Sequence, residues 1–192
     1  LKVAAVLLAA GSASRFGSDK LQHRLTHGVP IAIQSARHLR KEIEQVVAVV
    51  RPGSEELQKA FAAEGVRSVV CDRADEGMGT SLACGIKASE IADAYLIALA
   101  DMPFIRPSSI EAVRDALTAG AALVAPYFRA RRGHPVGIAA SFRSEMEQLT
   151  GDEGAKRILA KHADKLVKIP VGDPGVVRDI DKPSDLAPPL VV

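Results

Sequence analysis

Short apolar runs rich in β-branched residues alternate along this chain with longer stretches whose apolar positions recur every three or four residues. The first pattern is that of strands covered on both faces, and the second that of helices with one buried face. Val3 to Leu8 opens the chain as a strand, a helix is predicted from about Ile31 to Glu42, and Val46 to Val50 follows as a strand. Pro52-Gly53-Ser54 reads as a turn, with Ser54 the N-cap of a helix reaching about Glu64, and with Glu55 and Glu56 where the helix dipole favours carboxylates. Gly65 closes that helix, Val66 to Cys71 is the third strand, and a further helix follows the glycine-containing segment Glu76 to Leu82 and reaches about Ile91.

The unbroken apolar run from Tyr95 to Ala100 ends at Asp101-Met102-Pro103, which sets a carboxylate at the C-terminal tip of a buried strand. Beyond it the pattern predicts a helix from Ile110 to Ala119 capped by Ser108 or Ser109, and strands over Ala122 to Tyr127 and Val136 to Ala139. Helices are expected over Phe142 to Leu149 and Ala155 to His162, with a last strand over Val167 to Val171. Strands alternating with helices imply right-handed βαβ units, hence an α/β fold with a mostly parallel sheet and helices on both faces. In such sheets ligands sit beyond the C-terminal ends of the strands. The loop after the first strand and Asp101 both fall on that edge.

Composition narrows this picture more than it changes it. The 192 residues suit one domain, and 47% hydrophobic with 25% charged residues is the balance of a chain that folds by itself. A net charge of +2 and an aromatic share of 4% argue against a nucleic-acid partner. Cys71 and Cys84 share no metal-ligand spacing and read as reduced thiols of a cytoplasmic protein. The apolar start runs straight into glycines and charges, so it reads as a buried strand rather than a leader or membrane segment.

The chemistry concentrates after the first strand. From Leu8 to Leu21 the chain places two glycines, three serines, Arg15 and Lys20 in a short loop. Small residues let backbone N–H groups approach phosphate oxygens, and the two cations add charge. The spacing of Gly11 and Gly17 fits neither a Walker loop nor a dinucleotide fingerprint, and composition alone also suits a plain surface loop with a solvated Lys20. Asp101 offers a hard oxygen ligand suited to Mg²⁺, which takes one or two carboxylates plus substrate phosphates, the alternative being a helix N-cap or turn carboxylate. Asp179 or Asp181 can supply a second acid; one of them could equally brace the turn before Pro183. His23, His27, His38 and His162 show no metal spacing.

The run Leu8-Ala9-Ala10-Gly11, a small-residue loop, Arg15, Phe16, Gly17 and Lys20 resembles the signature of nucleotidyltransferases, and most of all the molybdenum cofactor cytidylyltransferase family. Glu76 to Leu82, Arg132-Gly133-His134-Pro135, Gly151 to Ala155 and Asp179 to Pro183 agree in order, so the resemblance covers nearly the whole chain. It implies a single Rossmann-like nucleotidyltransferase domain over residues 1–192, with 1–100 mainly binding the NTP and 101–192 mainly the acceptor.

The resemblance further implies catalytic roles for Arg15, Lys20 and Asp101. Nucleotide contacts are implied from Leu8, Ala9, Ala10, Gly11, Ser12 and Ala13, and from Gly77, Gly79 and Ser81; each of the last three also suits a plain helix-leading turn. Arg132, Gly133, His134, Pro135 and Asp152 fall on the acceptor side, where His134 has an equally good structural reading and Asp152 could instead cap a helix. Mg²⁺ would be held by Asp101 with Asp181, or Asp179.

Alanine at position 10, where guanylyltransferases of the family tend to carry glycine, points to CTP as donor. The implied reaction joins CMP to the phosphate of molybdopterin cofactor with release of pyrophosphate, the product passing to a molybdoenzyme of the xanthine dehydrogenase type. Rival expectations are transfer to a sugar phosphate or other phosphorylated metabolite, possibly from GTP, and a non-catalytic carrier of the finished cofactor. Departures from the pattern are Gln22-His23-Arg24, where a more apolar stretch is usual, and Asp72, where asparagine is common.

Overall fold

Val3–Leu8 (β1), buried from Ala4 onward, is an interior strand of the sheet. The structure is a computed structural model and describes residues 1–11 and 20–187. The elements after β1 are Ile31–Glu42 (α1), Gln45–Val50 (β2), Glu55–Ala63 (α2), Arg67–Val70 (β3), Met78–Ala88 (α3), Ala94–Leu99 (β4) and Pro107–Thr118 (α4). The second half adds Leu123–Phe128 (β5), Arg131–Arg132 (β6), Val136–Ala139 (β7), Arg143–Glu147 (α5), Gly154–Lys161 (α6) and Leu166–Pro170 (β8).

The strands form one sheet in the order β3-β2-β1-β4-β7-β5-β6, with β8 paired to β5. The pairings β1 with β2, β1 with β4, β2 with β3 and β5 with β8 are parallel, so the parallel α/β expectation holds for most of the sheet. β7 runs antiparallel between β4 and β5. Residues 129–135 are too few for the crossover that a parallel return requires, so the chain doubles back instead. β6 was not foreseen: Arg129 and Ala130, at φ 47° and 64°, make a two-residue hairpin turn without the Asn-Gly pair that usually announces one.

Strand alternation divides the core. Ala5 and Leu7 face a layer built from Ile31, Leu39, Phe61 and Val113 on α1, α2 and α4. Ala4, Val6 and Leu8 face Leu82, Ile86, Met146 and Ile158 on α3, α5 and α6. Helices therefore cover both faces, and the largest buried side chains are mainly aliphatic. None of the helices among the described residues is long and apolar enough to cross a membrane.

Local expectations fail where tertiary contacts override them. Ser108 and Ser109 do not cap α4; Pro107 starts that helix and Ser109 is buried inside its first turn. Ser54 stands at the N-cap of α2 without a side-chain capping bond. The helix expected over Phe142 to Leu149 is only Arg143–Glu147, preceded by a 3-10 turn at Ala140–Phe142. Gly65, at φ +69°, does end α2 as predicted.

α3 lies unusually close to the sheet because Gly85 has no side chain: an added Cβ would stand 2.5 Å from Val6 Cγ1 and 2.6 Å from Val49 Cγ2. Gly85→Ala is expected to lower the unfolding free energy in urea by about 1–3 kcal/mol through overpacking. That loss should outweigh the helix-propensity gain of about 1 kcal/mol.

Candidate active site

The strand order reverses at β1, with β2 on one side and β4 on the other, and this switch point opens a crevice at the strands' C-terminal ends. A cavity of about 820 Å³ occupies it. Leu8, Ala10 and Gly11 from the end of β1 line it, whereas Ala9, next to them, turns into the opposite core layer and donates its amide to Val49 O at 2.8 Å. Strand alternation thus removes Ala9 from the expected nucleotide contacts except through its backbone. Ser12, Ala13 and Arg15 lie outside the described residues.

Lys20 lines the cavity at the start of a 3-10 turn that buried Leu21 anchors. The Lys20 ammonium stands 2.9 Å from Asp101 Oδ2 and 3.6 Å from Asp181 Oδ1, with only 13% of its side chain exposed. Asp179 completes the group: one carboxylate oxygen from each of Asp101, Asp179 and Asp181 lies within 4.8 Å of the others. Burial, and then the charges of Asp181 and Asp101, raise the Asp179 pKa above its ordinary value. Three carboxylates facing one ammonium leave an excess of negative charge, and clustered hard oxygens suit a divalent cation of the Mg²⁺ kind.

Backbone contacts bring these acids together across nearly eighty residues. The Ile180 amide donates to Asp101 O at 2.9 Å, so the residues flanking Ile180 are held beside the end of β4. Asp185 accepts from the amides of Asp181 and Lys182 at 3.1 and 3.0 Å. It is therefore Asp185 that braces the turn at Pro183, and both Asp179 and Asp181 stay with the cluster.

Upstream, buried Asp173 accepts from the Arg106 amide at 2.8 Å, the Ser109 hydroxyl at 2.8 Å and the Gly175 amide at 2.9 Å. Gly175 then packs so tightly that a Cβ would stand 2.1 Å from Phe104 O. These contacts tie the last segment to the start of α4. Sequence reasoning missed Asp173, because a lone Asp before Pro174 looks like any turn residue.

Gly77, Ser81 and Asp152 share another wall of the cavity. Gly77 needs its glycine: φ is +123°, and a Cβ would meet Asp152 Oδ1 at 2.3 Å. Asp152, expected on the acceptor side, thus stands in the same wall as the expected nucleoside contacts. Gly79 is buried, and its amide donates to Gly151 O at 2.6 Å. The close approach that Gly79 permits is to the loop at Thr150 and Gly151, not to the cavity.

The expected acceptor segment is mostly packing. Gly133 is buried with its amide on Pro126 O at 2.8 Å, and a Cβ there would strike Val176 O. The His134 amide donates to Val176 O at 2.8 Å, Pro135 is buried, His134 is half-buried, and of the four only Arg132 is exposed. None of the four lines the cavity; their contacts support the segment that carries Asp179. Burial pushes the His134 imidazole down to about 4.

Sequence reasoning also missed Arg51, the first residue after β2, which lines the cavity and donates from Nη2 to Ala10 O at 3.0 Å. Its position just past a parallel strand was the available signal.

An open α/β sheet with a nucleotide-sized crevice at its switch point, and with Lys20 among a cluster of three acids at its edge, has the architecture of the nucleotidyltransferase fold class. Residues 5–166 match the family of MobA-like NTP transferase domains, and the chain belongs to that family. The match includes Lys20 and Asp101 and stops short of Asp179 and Asp181.

A probable molybdenum cofactor guanylyltransferase from Thermococcus sibiricus is 34% identical over 108 residues, which are 55% of this chain and 51% of that protein. The aligned part of the chain thus spans about half the length of this curated relative. Rv0371c from Mycobacterium tuberculosis superposes with a TM-score of 0.84 at 20% identity over 96% of both chains, and its manganese complex with 0.81 at 20% over 96% of both. A nucleotidyl transferase from Methanothermobacter thermautotroptrophicus gives 0.81 at 20% identity, over 96% of this chain and 94% of the other. At such identities these structures establish the fold.

Two outcomes test this account of the site. Asp173→Ala strands two buried donors, the Ser109 hydroxyl and the Gly175 amide, and a part-buried one at Arg106, and should cost about 3 kcal/mol of stability. It should also weaken Mn²⁺ binding in a titration, although no carboxylate of the cluster is lost. The second concerns pH: because folding depresses the His134 pKa from 6.5 to about 4, the unfolded chain takes up this proton first. Stability from this group is therefore complete above pH 6.5 and declines as the pH falls from there towards 4. His38 is lowered in the same direction by burial. His134→Gln should flatten, but not abolish, the fall in urea midpoint across that window.

Proposed function

We propose that this protein transfers a nucleoside monophosphate from an NTP to the phosphate of a small acceptor, releasing pyrophosphate. The observation that carries this reading is the group formed by Lys20, Asp101, Asp179 and Asp181 at the edge of the switch-point cavity.

The donor set fits a divalent cation: three carboxylates with oxygens within 4.8 Å, all on one rim, offer the hard ligands that Mg²⁺ accepts. Asp101 with Asp181 would hold it, Asp179 being the alternative second ligand. Once bound, such an ion supplies positive charge for the phosphate oxygens at which negative charge builds up. The manganese complex of Rv0371c supports a divalent site on this fold without choosing the metal.

The chain's own residues do the rest. Lys20, held by Asp101 and Asp181, brings a largely buried ammonium to the place where the departing pyrophosphate gathers charge. Arg15 belongs to the same phosphate-binding reading through its place in the loop motif. The wall formed by Leu8, Ala10, Gly77 and Ser81 receives the nucleoside. The attacking acceptor phosphate is already anionic near neutral pH, so these residues position it in line and need not remove a proton.

CTP is the proposed donor, on the strength of Ala10, and molybdopterin cofactor the proposed acceptor, giving the cytosine dinucleotide form. Residues 1–100 would serve mainly the donor and 101–192 the acceptor, with Arg132 the one exposed cation of its motif. A xanthine dehydrogenase-type enzyme would receive the product, and the cytoplasm is the matching compartment. A second reading, GTP as donor, is favoured by the name of the guanylyltransferase relative.

Asp101→Asn and Lys20→Met are each expected to reduce pyrophosphate release by on the order of 100-fold or more. Wild-type protein given labelled CTP or GTP with molybdopterin should yield one labelled dinucleotide product. Sole use of GTP would overturn the cytidylyl assignment, and a sugar phosphate outrunning molybdopterin would overturn the acceptor. A wild type that releases no pyrophosphate with any donor and acceptor leaves only the carrier role.

A further inference from the structure

Along the C-terminal edge of the sheet, Asp101 follows β4, Gly11 follows β1, Arg51 follows β2 and Asp72 lies just past β3, in that spatial order. Adjacent strands lie ~4.8 Å apart, so Arg51 stands roughly 10 Å across the sheet from the acidic cluster. If the phosphates occupy the end with Lys20 and Asp101, the base must lie over β2 and β3. Arg51 is half-buried in that part of the wall. Its guanidinium is pinned by the bond from Nη2 to Ala10 O at 3.0 Å, and it forms no ion pair among the described residues. A guanidinium carries five N–H donors in a rigid plane, so one bond to Ala10 orients the remainder.

We infer that Arg51 selects the donor base, by offering paired N–H donors to two adjacent acceptors on its edge; this rests on the nucleotidyltransferase reading above. Cytosine presents such a pair in O2 and N3, and guanine in O6 and N7. Adenine sets its N7 beside an amino donor, and uracil separates its two carbonyls by an N–H. The device therefore admits cytidine and guanosine nucleotides and rejects adenosine and uridine nucleotides. Asp72 and Asp75 on the same wall add acceptors for an exocyclic amino group, which excludes uracil, while the rejection of adenine rests on Arg51. The same arginine is thus compatible with either donor under discussion, and the choice between C and G falls to other positions, Ala10 among them.

The test is equilibrium binding of CTP, GTP, ATP, UTP and inorganic tripolyphosphate, each with MgCl₂, to wild type, Arg51→Met and Arg51→Lys. Wild type should bind CTP or GTP on the order of 10- to 100-fold more tightly than ATP and UTP. Both variants should lose that ratio while binding tripolyphosphate as wild type does, lysine failing because it keeps the charge and lacks the fork. A merely structural arginine would lower thermal stability or all affinities together and leave the ratio intact, which would overturn the inference. Equal wild-type affinity for all four nucleotides would overturn it as well, without touching the proposed reaction. If wild type bound neither tripolyphosphate nor any NTP, the nucleotidyltransferase reading itself would fall.

Discussion

Carboxylates repel one another, and holding three of them within 4.8 Å requires a backbone that cannot relax away. In this protein that constraint is met by two polar ties between distant parts of the chain. The Ile180 amide bonds to Asp101 O, and the buried Asp173 carboxylate gathers the Arg106 amide, the Ser109 hydroxyl and the Gly175 amide. Lys20 offsets part of the remaining repulsion from inside the cluster. Together with the burial of Val176 and Ile180, these ties return the last segment to the end of β4 and bring Asp179 and Asp181 to Asp101.

The glycines show how closely the site depends on packing rather than on loop freedom. Gly85 lets α3 settle onto Val6 and Val49, Gly175 lets the last segment touch Phe104, and Gly77 lets the chain pass Asp152. Each brings one wall of the crevice to its place. Gly79, which resembles a ligand-facing glycine, instead joins α3 to the loop at Gly151. A small residue in a motif thus signals a close approach, and only the fold tells what is approached.

The Arg132-Gly133-His134-Pro135 motif makes a related point. Its central residues are covered, and they support Val176 beneath the acidic segment. Arg51, in contrast, belongs to no motif and stands in the cavity wall.

Local pattern alone determined the alternation of strands and helices, the buried strand that leads to Asp101 and the loop motif that contains Lys20, because periodicity and turn residues act over a few positions. The rule that ligands gather at the C-terminal edge of a parallel sheet then places the loop motif that contains Lys20 on the same edge as Asp101. Tertiary structure decided the rest. It reversed β7 because the hairpin at Arg129 and Ala130 is too short for a crossover, and it left Asp185 to brace the last turn while Asp179 and Asp181 joined Asp101. It also enclosed the Nδ1 edge of half-buried His134 and placed Arg51 in the cavity wall. These outcomes depend on contacts between residues far apart in the chain, which no local window of sequence contains.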